Sequence, residues 1–372
     1  MTNSFALVFA NIDNSTMDLF TVVRSVGALP FGARYRLIDF TLSNLVNSGV
    51  DTVGVTVREK YQSLLDHIGT ARDWDLDRQS GGLTFLPPFA YESAGPYDTK
   101  LKALIGSESY LRNNHAEYVF LCEPDVVGNT DLDGLWENFI ERGDDITYMT
   151  VRCGGSNHHG SFKTGFRTDE NGCVTEILRA DDPGCERLSV GVCVMKRSLL
   201  LDLTVAAKLN NYRYFDNEMI PRLLENLKIG VFDHEGYVAK IRTRNDYYSA
   251  SMDLLKSEVR QDVFFRYGHI FTKTYADVPV LYGLDSDVKE SLIADGSSVG
   301  GAVHNSIIFR RVKLGKDSRI ESSIVMPDSV IEDGAELRYV ITDKDVRVTA
   351  GAKIIGEPDR PRILIKGQTY SE

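Results

Sequence analysis

The 372-residue chain is predicted to fold as an α/β domain with a mostly parallel sheet, followed by a short left-handed parallel β-helix. Two observations carry this prediction. Over residues 1–265, short β-branched or aromatic runs alternate with segments of helical period, which is the grammar of βαβ units. From residue 291 to 372 the period changes to six, with aliphatic residues heading successive hexapeptides. Residues 266–290 show neither period and are expected to form a linker.

The elements of the first part follow in order. Ala6 to Phe9 is a fully apolar run and reads as a buried strand. Leu37, Ile38, Leu42, Leu45 and Val46 fall at helical spacing, and Gly49 stands where that helix would stop. Thr52 to Val57 is a β-branched strand. Leu101, Leu104, Ile105, Tyr110 and Leu111 predict one helix, and Tyr118 to Leu121 the strand after it. Asp131 is placed to cap a helix running to Arg142, and Asp145 to Val151 reads as a further strand. A helix over Tyr247 to Phe265 is expected to close the domain. In parallel sheets of this kind, ligands gather at the carboxyl ends of the strands.

In the tail, Leu314 and Ile320 are six apart, as are Val325, Ile331 and Leu337, with Gly315, Asp317, Pro327, Asp328 and Gly334 between them. A three-sided coil of ~18 residues follows, and about four coils fit. An ordinary β-sandwich is the alternative. Enzymes of β-helical architecture that transfer acyl groups need a histidine base, and the tail offers only His304, so assembly is the expected role.

Composition narrows the function. Apolar residues make up 42% and charged residues 26%, near the globular average, which excludes disorder, collagen and coiled coil. A net charge of −11 argues against nucleic acid or an anionic membrane as the main partner. The apolar run Phe5–Ala10 is too short for a signal peptide or a membrane span. Five cysteines with no C-x-x-C pair speak against zinc or a disulfide framework. The expected setting is cytoplasmic, with reduced thiols.

The segment PFGARYRLIDFTLSNLVNSGVDTVGV (Pro30 to Val55) is followed by HIG at 67–69, WDLDR at 74–78, AEYVFL at 116–121 and SVGVCVM at 189–195. Together these resemble the ADP-glucose pyrophosphorylase (glucose-1-phosphate adenylyltransferase) family over essentially the whole chain. The resemblance implies a Rossmann-like nucleotidyltransferase domain. It also implies in-line attack of a sugar phosphate on ATP, which needs backbone amides, basic side chains and Mg²⁺ held by carboxylates.

This chain departs from that pattern in four segments. The family's Gly-rich loop is replaced by Asn11 to Asp18, which contains no glycine, and its K-P-A-V lysine falls on Val26. Of the two metal-binding Asp positions, the first is retained as Asp125 and the second has become Lys240, which in its charged form has no lone pair to offer. Lys240 is therefore expected to stand where the metal would be and to pair with Asp125. The family's F-V-E-K-P has become Ile177 to Asp181, and its substrate-lining Y-x-G-T-A-x-A has become Tyr97 to Ala103.

His158 and His159 read as a solvated loop, and Trp74 and Trp136 as packing residues. Arg24, Arg34 and Arg36 are candidates for an anionic effector, with salt bridges at a subunit contact as the alternative. No confident catalytic residue and no metal ligand is assigned.

The resemblance is to the GlgD-type, non-catalytic subunit of that family. It implies a regulatory role beside a catalytic subunit in a hetero-oligomer, with a tetramer expected. No cofactor is expected for this chain, Mg²⁺ being the catalytic partner's requirement. The alternatives are an active adenylyltransferase with a rearranged site and a stand-alone sensor of a sugar phosphate or nucleotide.

Overall fold

The computed structural model describes residues 3–10, 17, 19–88 and 97–371. The Asn11–Thr16 stretch and Asp18 of the altered phosphate loop lie outside the described residues. A nine-stranded sheet forms from β1 (Ser4–Phe9), β2 (Thr52–Thr56), β3 (Gly82–Leu86), β4 (Tyr118–Cys122), β5 (Ile146–Arg152), β6 (Thr164–Thr168), β7 (Val174–Arg179), β8 (Arg187–Lys196) and β9 (Ile229–Asp233). Its order is β7-β6-β8-β4-β1-β2-β3, with β5 along β8 and β9 along β5. The β1–β2, β1–β4, β2–β3 and β5–β9 pairings are parallel. Strand β8 runs antiparallel to β4, β5 and β6, and β7 antiparallel to β6, so only β7 and β8 oppose the other strands.

The period-2 alternation of β1 sets the two layers. Ala6 and Val8 face a core completed by Ile38, Leu42 and Leu45 of α1 (Leu37–Asn47) and by Leu132, Leu135 and Phe139. Phe5, Leu7 and Phe9 face the other core, with Leu101, Leu104, Leu200 and Leu203. The helix carrying Leu132 is Leu132–Arg142, and the Asp131 side chain accepts from the Gly134 amide at its start, as its sequence predicts.

Two expected helices are each divided. The 101–111 segment forms Lys100–Gly106 and Glu108–Asn113, and the 247–265 segment forms Arg244–Asp253 and Ser257–Phe265. At the second break, Arg260 Nη1 donates to the carbonyls of Leu254 and Leu255 at 2.8 and 2.7 Å. This satisfies backbone acceptors that a continuous helix would have paired internally. The 158–159 histidines lie on a short strand, His158–Gly160, not in a loop. Among the described residues, no helix is long and apolar enough to cross a membrane.

The tail is a parallel β-helix of the left-handed hexapeptide type, with three sheets of six, five and five strands. It begins earlier than expected. Leu281–Tyr282 and Asp287–Lys289 already pair with the second coil, so the stretch without regular structure ends before residue 281. There are five complete coils, and most repeat every 17 residues, as in Ile307–Ile324–Ile341 and Ile320–Leu337–Ile354. Left-handed backbone marks successive corners, as at Ser322, Asp328, Gly334 and Tyr339, and the step from Gly334 to Tyr339 is one residue shorter than the other two. His304 lies on an outer face beside Asp287, at 2.9 Å.

The two parts share one core. Phe20, Phe31, Phe40 and Tyr247 pack in the same cluster as Ile307, Phe309, Ile324 and Ile341 of the β-helix. The Tyr248 hydroxyl donates to the Ser322 carbonyl at 2.7 Å, and Arg24 Nη2 reaches Asp343 at 2.8 Å.

Candidate functional site

At the carboxyl end of β4 the chain continues Glu123, Pro124, Asp125. A small second sheet pairs Val126–Val127 with Val238–Lys240, and the latter with His158–Gly160. Because Lys240 stands opposite Val126, its side chain is delivered to Asp125. Lys240 Nζ lies 2.7 Å from Asp125 Oδ1 and 2.7 Å from Glu123 Oε2, and it donates to the Val190 carbonyl at 3.1 Å. Asp125 is therefore not free, and it is fully buried.

The cluster extends in both directions. Arg242 reaches Glu123 at 2.8 Å and Asp125 at 3.0 Å. Lys100, in the first turn of its helix, reaches Glu123 at 3.0 Å and Asp216 at 2.7 Å. The Tyr148 hydroxyl donates to Asp216 at 3.1 Å. Three carboxylates thus face three cations. Burial alone would push the Glu123 carboxyl up, but Lys240, Lys100 and Arg242 outweigh it and hold that group well below the usual carboxylate range. Burial likewise opposes the charges of Lys100 and Arg242, yet their carboxylate partners hold both above their ordinary values.

Backbone geometry makes room for this packing. β8 bulges between Ser189 and Cys193, and Gly191 there has φ +91°. A Cβ at Gly191 would collide with Lys240 Nζ, and one at Gly160 (φ +99°) with the Lys240 carbonyl.

Mg²⁺ asks for oxygen ligands in near-octahedral geometry. An ion brought to Asp125 would meet an ammonium and a guanidinium within about a hydrogen-bond length of the same carboxylate. The residues present do not fit the ion. No group of three or more metal-ligating side chains occurs among the described residues.

A second basic cluster lies between the domains. Arg34, Arg36 and His67 line a cleft with Tyr275, Arg310, Arg311 and Lys344. Arg36 donates to the Ser63 carbonyl and hydroxyl at 2.5 and 2.9 Å, and the Arg310 guanidinium stacks on Tyr275 at 4.4 Å. Arg311 is paired with Asp328 at 2.7 Å. Burial, and then the charges of Arg36 and Arg24, bring the Lys344 ammonium down to about 7. Arg24 itself does not line this cleft. It is buried against Asp343 as a salt bridge that joins the two domains of the chain.

The Ile177–Asp181 segment borders an open cleft with Ser161, Phe162, Lys163 and Asn217. Arg179 pairs with Asp181 at 3.0 Å on its rim.

Comparison with known proteins agrees with this architecture. The nucleotidyl transferase family matches residues 20–257, and the GlmU-like C-terminal hexapeptide family matches residues 282–362. The chain is 30% identical to the glycogen biosynthesis protein GlgD of Bacillus subtilis, over 96% of this chain and 94% of that protein. The chain belongs to the glucose-1-phosphate adenylyltransferase family. It is 32% identical to the glucose-1-phosphate adenylyltransferase of Mycoplasma mobile over 85% of this chain and 84% of the relative, and 31% identical to that of Clostridioides difficile over 87% and 85%.

The partners Glu123, Asp216 and Arg242 escaped sequence reasoning. A signal for two of them was present, since Glu123 and Arg242 each stand two residues from a flagged position in an extended run. Asp216 comes from a distant turn and carried none.

Proposed function

We propose that this chain is a regulatory, non-catalytic subunit of glucose-1-phosphate adenylyltransferase, the activity that makes ADP-glucose and pyrophosphate from ATP and glucose 1-phosphate in glycogen biosynthesis. It works in the cytoplasm, in a mixed oligomer with a catalytic subunit of the same fold, and it needs no Mg²⁺ of its own. The observation that supports this reading is the contact of Lys240 with Asp125, which fills a metal position with an ammonium group. The basic cleft between the domains, with Arg34, Arg36, Arg310 and Lys344, is the place where an anionic effector would act on the assembly.

The test is to mix the purified chain with a catalytic subunit from the same cell. Co-elution in one larger species, with a change in the catalytic subunit's rate or in its response to anionic metabolites, is the expected result. Separate elution with an unchanged rate contradicts the proposal.

A further inference from the structure

Cys153 and Cys185 are 32 residues apart in the chain, yet their Sγ atoms are 3.2 Å apart. Cys153 follows directly on β5, and Cys185 stands just before β8. These strands pair with Arg152 opposite Arg187, and the Cys153 amide donates to the Glu186 carbonyl at 2.9 Å. Backbone pairing therefore holds the two thiols together before any bond joins them. Both are free and half-buried, whereas Cys122 and Cys193 are buried in the sheet.

The segment between Arg179 and Cys185 is a double turn, in which the Asp182 amide donates to Arg179 and the Cys185 amide to Asp182. Its residues Ala180 and Asp181 line the open cleft beside Phe162. Cys153, Phe162, Ala180 and Cys185 pack against the same core, and Cys185 ends the turn whose Ala180 and Asp181 line the cleft.

We propose that Cys153 and Cys185 form a reversible disulfide that pins the 179–185 turn to the end of β5 and fixes one wall of the cleft. The oxidant is a small-molecule disulfide. One protein thiolate attacks it, forming a mixed disulfide and expelling one small thiolate. The second protein thiolate then displaces the other. Two protein thiols are oxidised, and their protons leave with the two small thiols produced. Burial and the adjoining Cys185 sulfur push the Cys153 thiol up to about 12, so closure is slow at neutral pH and quickens as pH rises. This switch is separate from the Lys240 cluster and stands whether or not the chain turns over substrate.

The folded, full-length chain is incubated with glutathione disulfide, alkylated, and digested without reduction. The expected result is a linked peptide pair containing Cys153 and Cys185 that dithiothreitol reopens. The oxidised chain should melt roughly 5 °C higher, and its 179–185 amides should exchange more slowly. Cys153→Ser and Cys185→Ser should each abolish the link and the shift in Tm. If either variant fails to fold, the wild-type peptide map decides alone. No link, a link to Cys173, a link between two molecules, or a mixed disulfide that persists on either residue would overturn the proposal.

Discussion

The chain gathers basic side chains in two places, and the two are built in opposite ways. At the strand ends, Lys100, Lys240 and Arg242 are matched by Glu123, Asp125 and Asp216 at 2.7–3.0 Å, and the charges close on one another. In the cleft between the domains, Arg311 is paired with Asp328 and Asp343 lies beside Lys344, yet burial and the neighbouring charges of Arg36 and Arg24 outweigh it and bring the Lys344 ammonium down to about 7. A matched cluster needs no ligand to be stable, whereas one with an excess of cations is stabilised by an anion from outside. The difference teaches that one fold can close its charges on one another at one place and leave an excess of cations at another.

The largest expected effect lies in the matched cluster. Lys240→Met leaves buried carboxylates without their central cation and should destabilise the chain by about 3–5 kcal/mol in denaturant titration. A loss below ~1 kcal/mol would mean that the cluster is not held by charge. Gly191→Ala comes next, because its Cβ would strain a left-handed backbone and press on Lys240, at a cost of about 2 kcal/mol by the same measurement.

In the cleft between the domains, effects should appear in binding. Sulfate is a suitable probe because its charge is constant over the relevant range. Arg34→Ala should weaken sulfate binding about tenfold by calorimetry, with little change in unfolding. The sign with pH follows from Lys344. Its folded value lies below that of an unfolded lysine, so folding disfavours its proton, and apo stability should rise as pH climbs from about 7 toward the unfolded value. Below about 7 the ammonium is present and sulfate relieves the repulsion, so sulfate should bind more tightly at pH 6 than at pH 8. Loss of this pH dependence in Lys344→Met would assign it to that residue. The smallest effect belongs to Arg179→Ala on the rim of the open cleft, where an exposed ion pair contributes little and Tm should not move.

Much of this architecture is legible in the sequence, because periodicity is a direct consequence of burial. Ala6 to Phe9 alternates between two cores, and the six-residue beat of Leu314 and Ile320 reappears as stacked strands. What was hidden depends on single distant contacts. At the break over Leu254–Lys256, Arg260 takes two freed carbonyls, a contact that no period reveals. The 17-residue coil comes from one face that is a residue shorter than the other two, which an imperfect six-residue beat does not single out. In the site, Asp125 and Lys240 could be flagged because each stands in a recognisable segment. Arg310, Arg311 and Lys344 come from the β-helix, hundreds of residues from Arg34, and only the fold brings them to one cleft. Arg24, ten residues before Arg34, is taken by Asp343 instead.

The most direct test is pyrophosphate release from ATP and glucose 1-phosphate with Mg²⁺, using this chain purified alone. A matched, metal-excluding cluster predicts no turnover above background. A rate within ~10³-fold of a typical enzyme turnover of ~10 s⁻¹ would contradict it, and would show that Lys240 yields to the metal or that the chemistry is carried elsewhere in the fold.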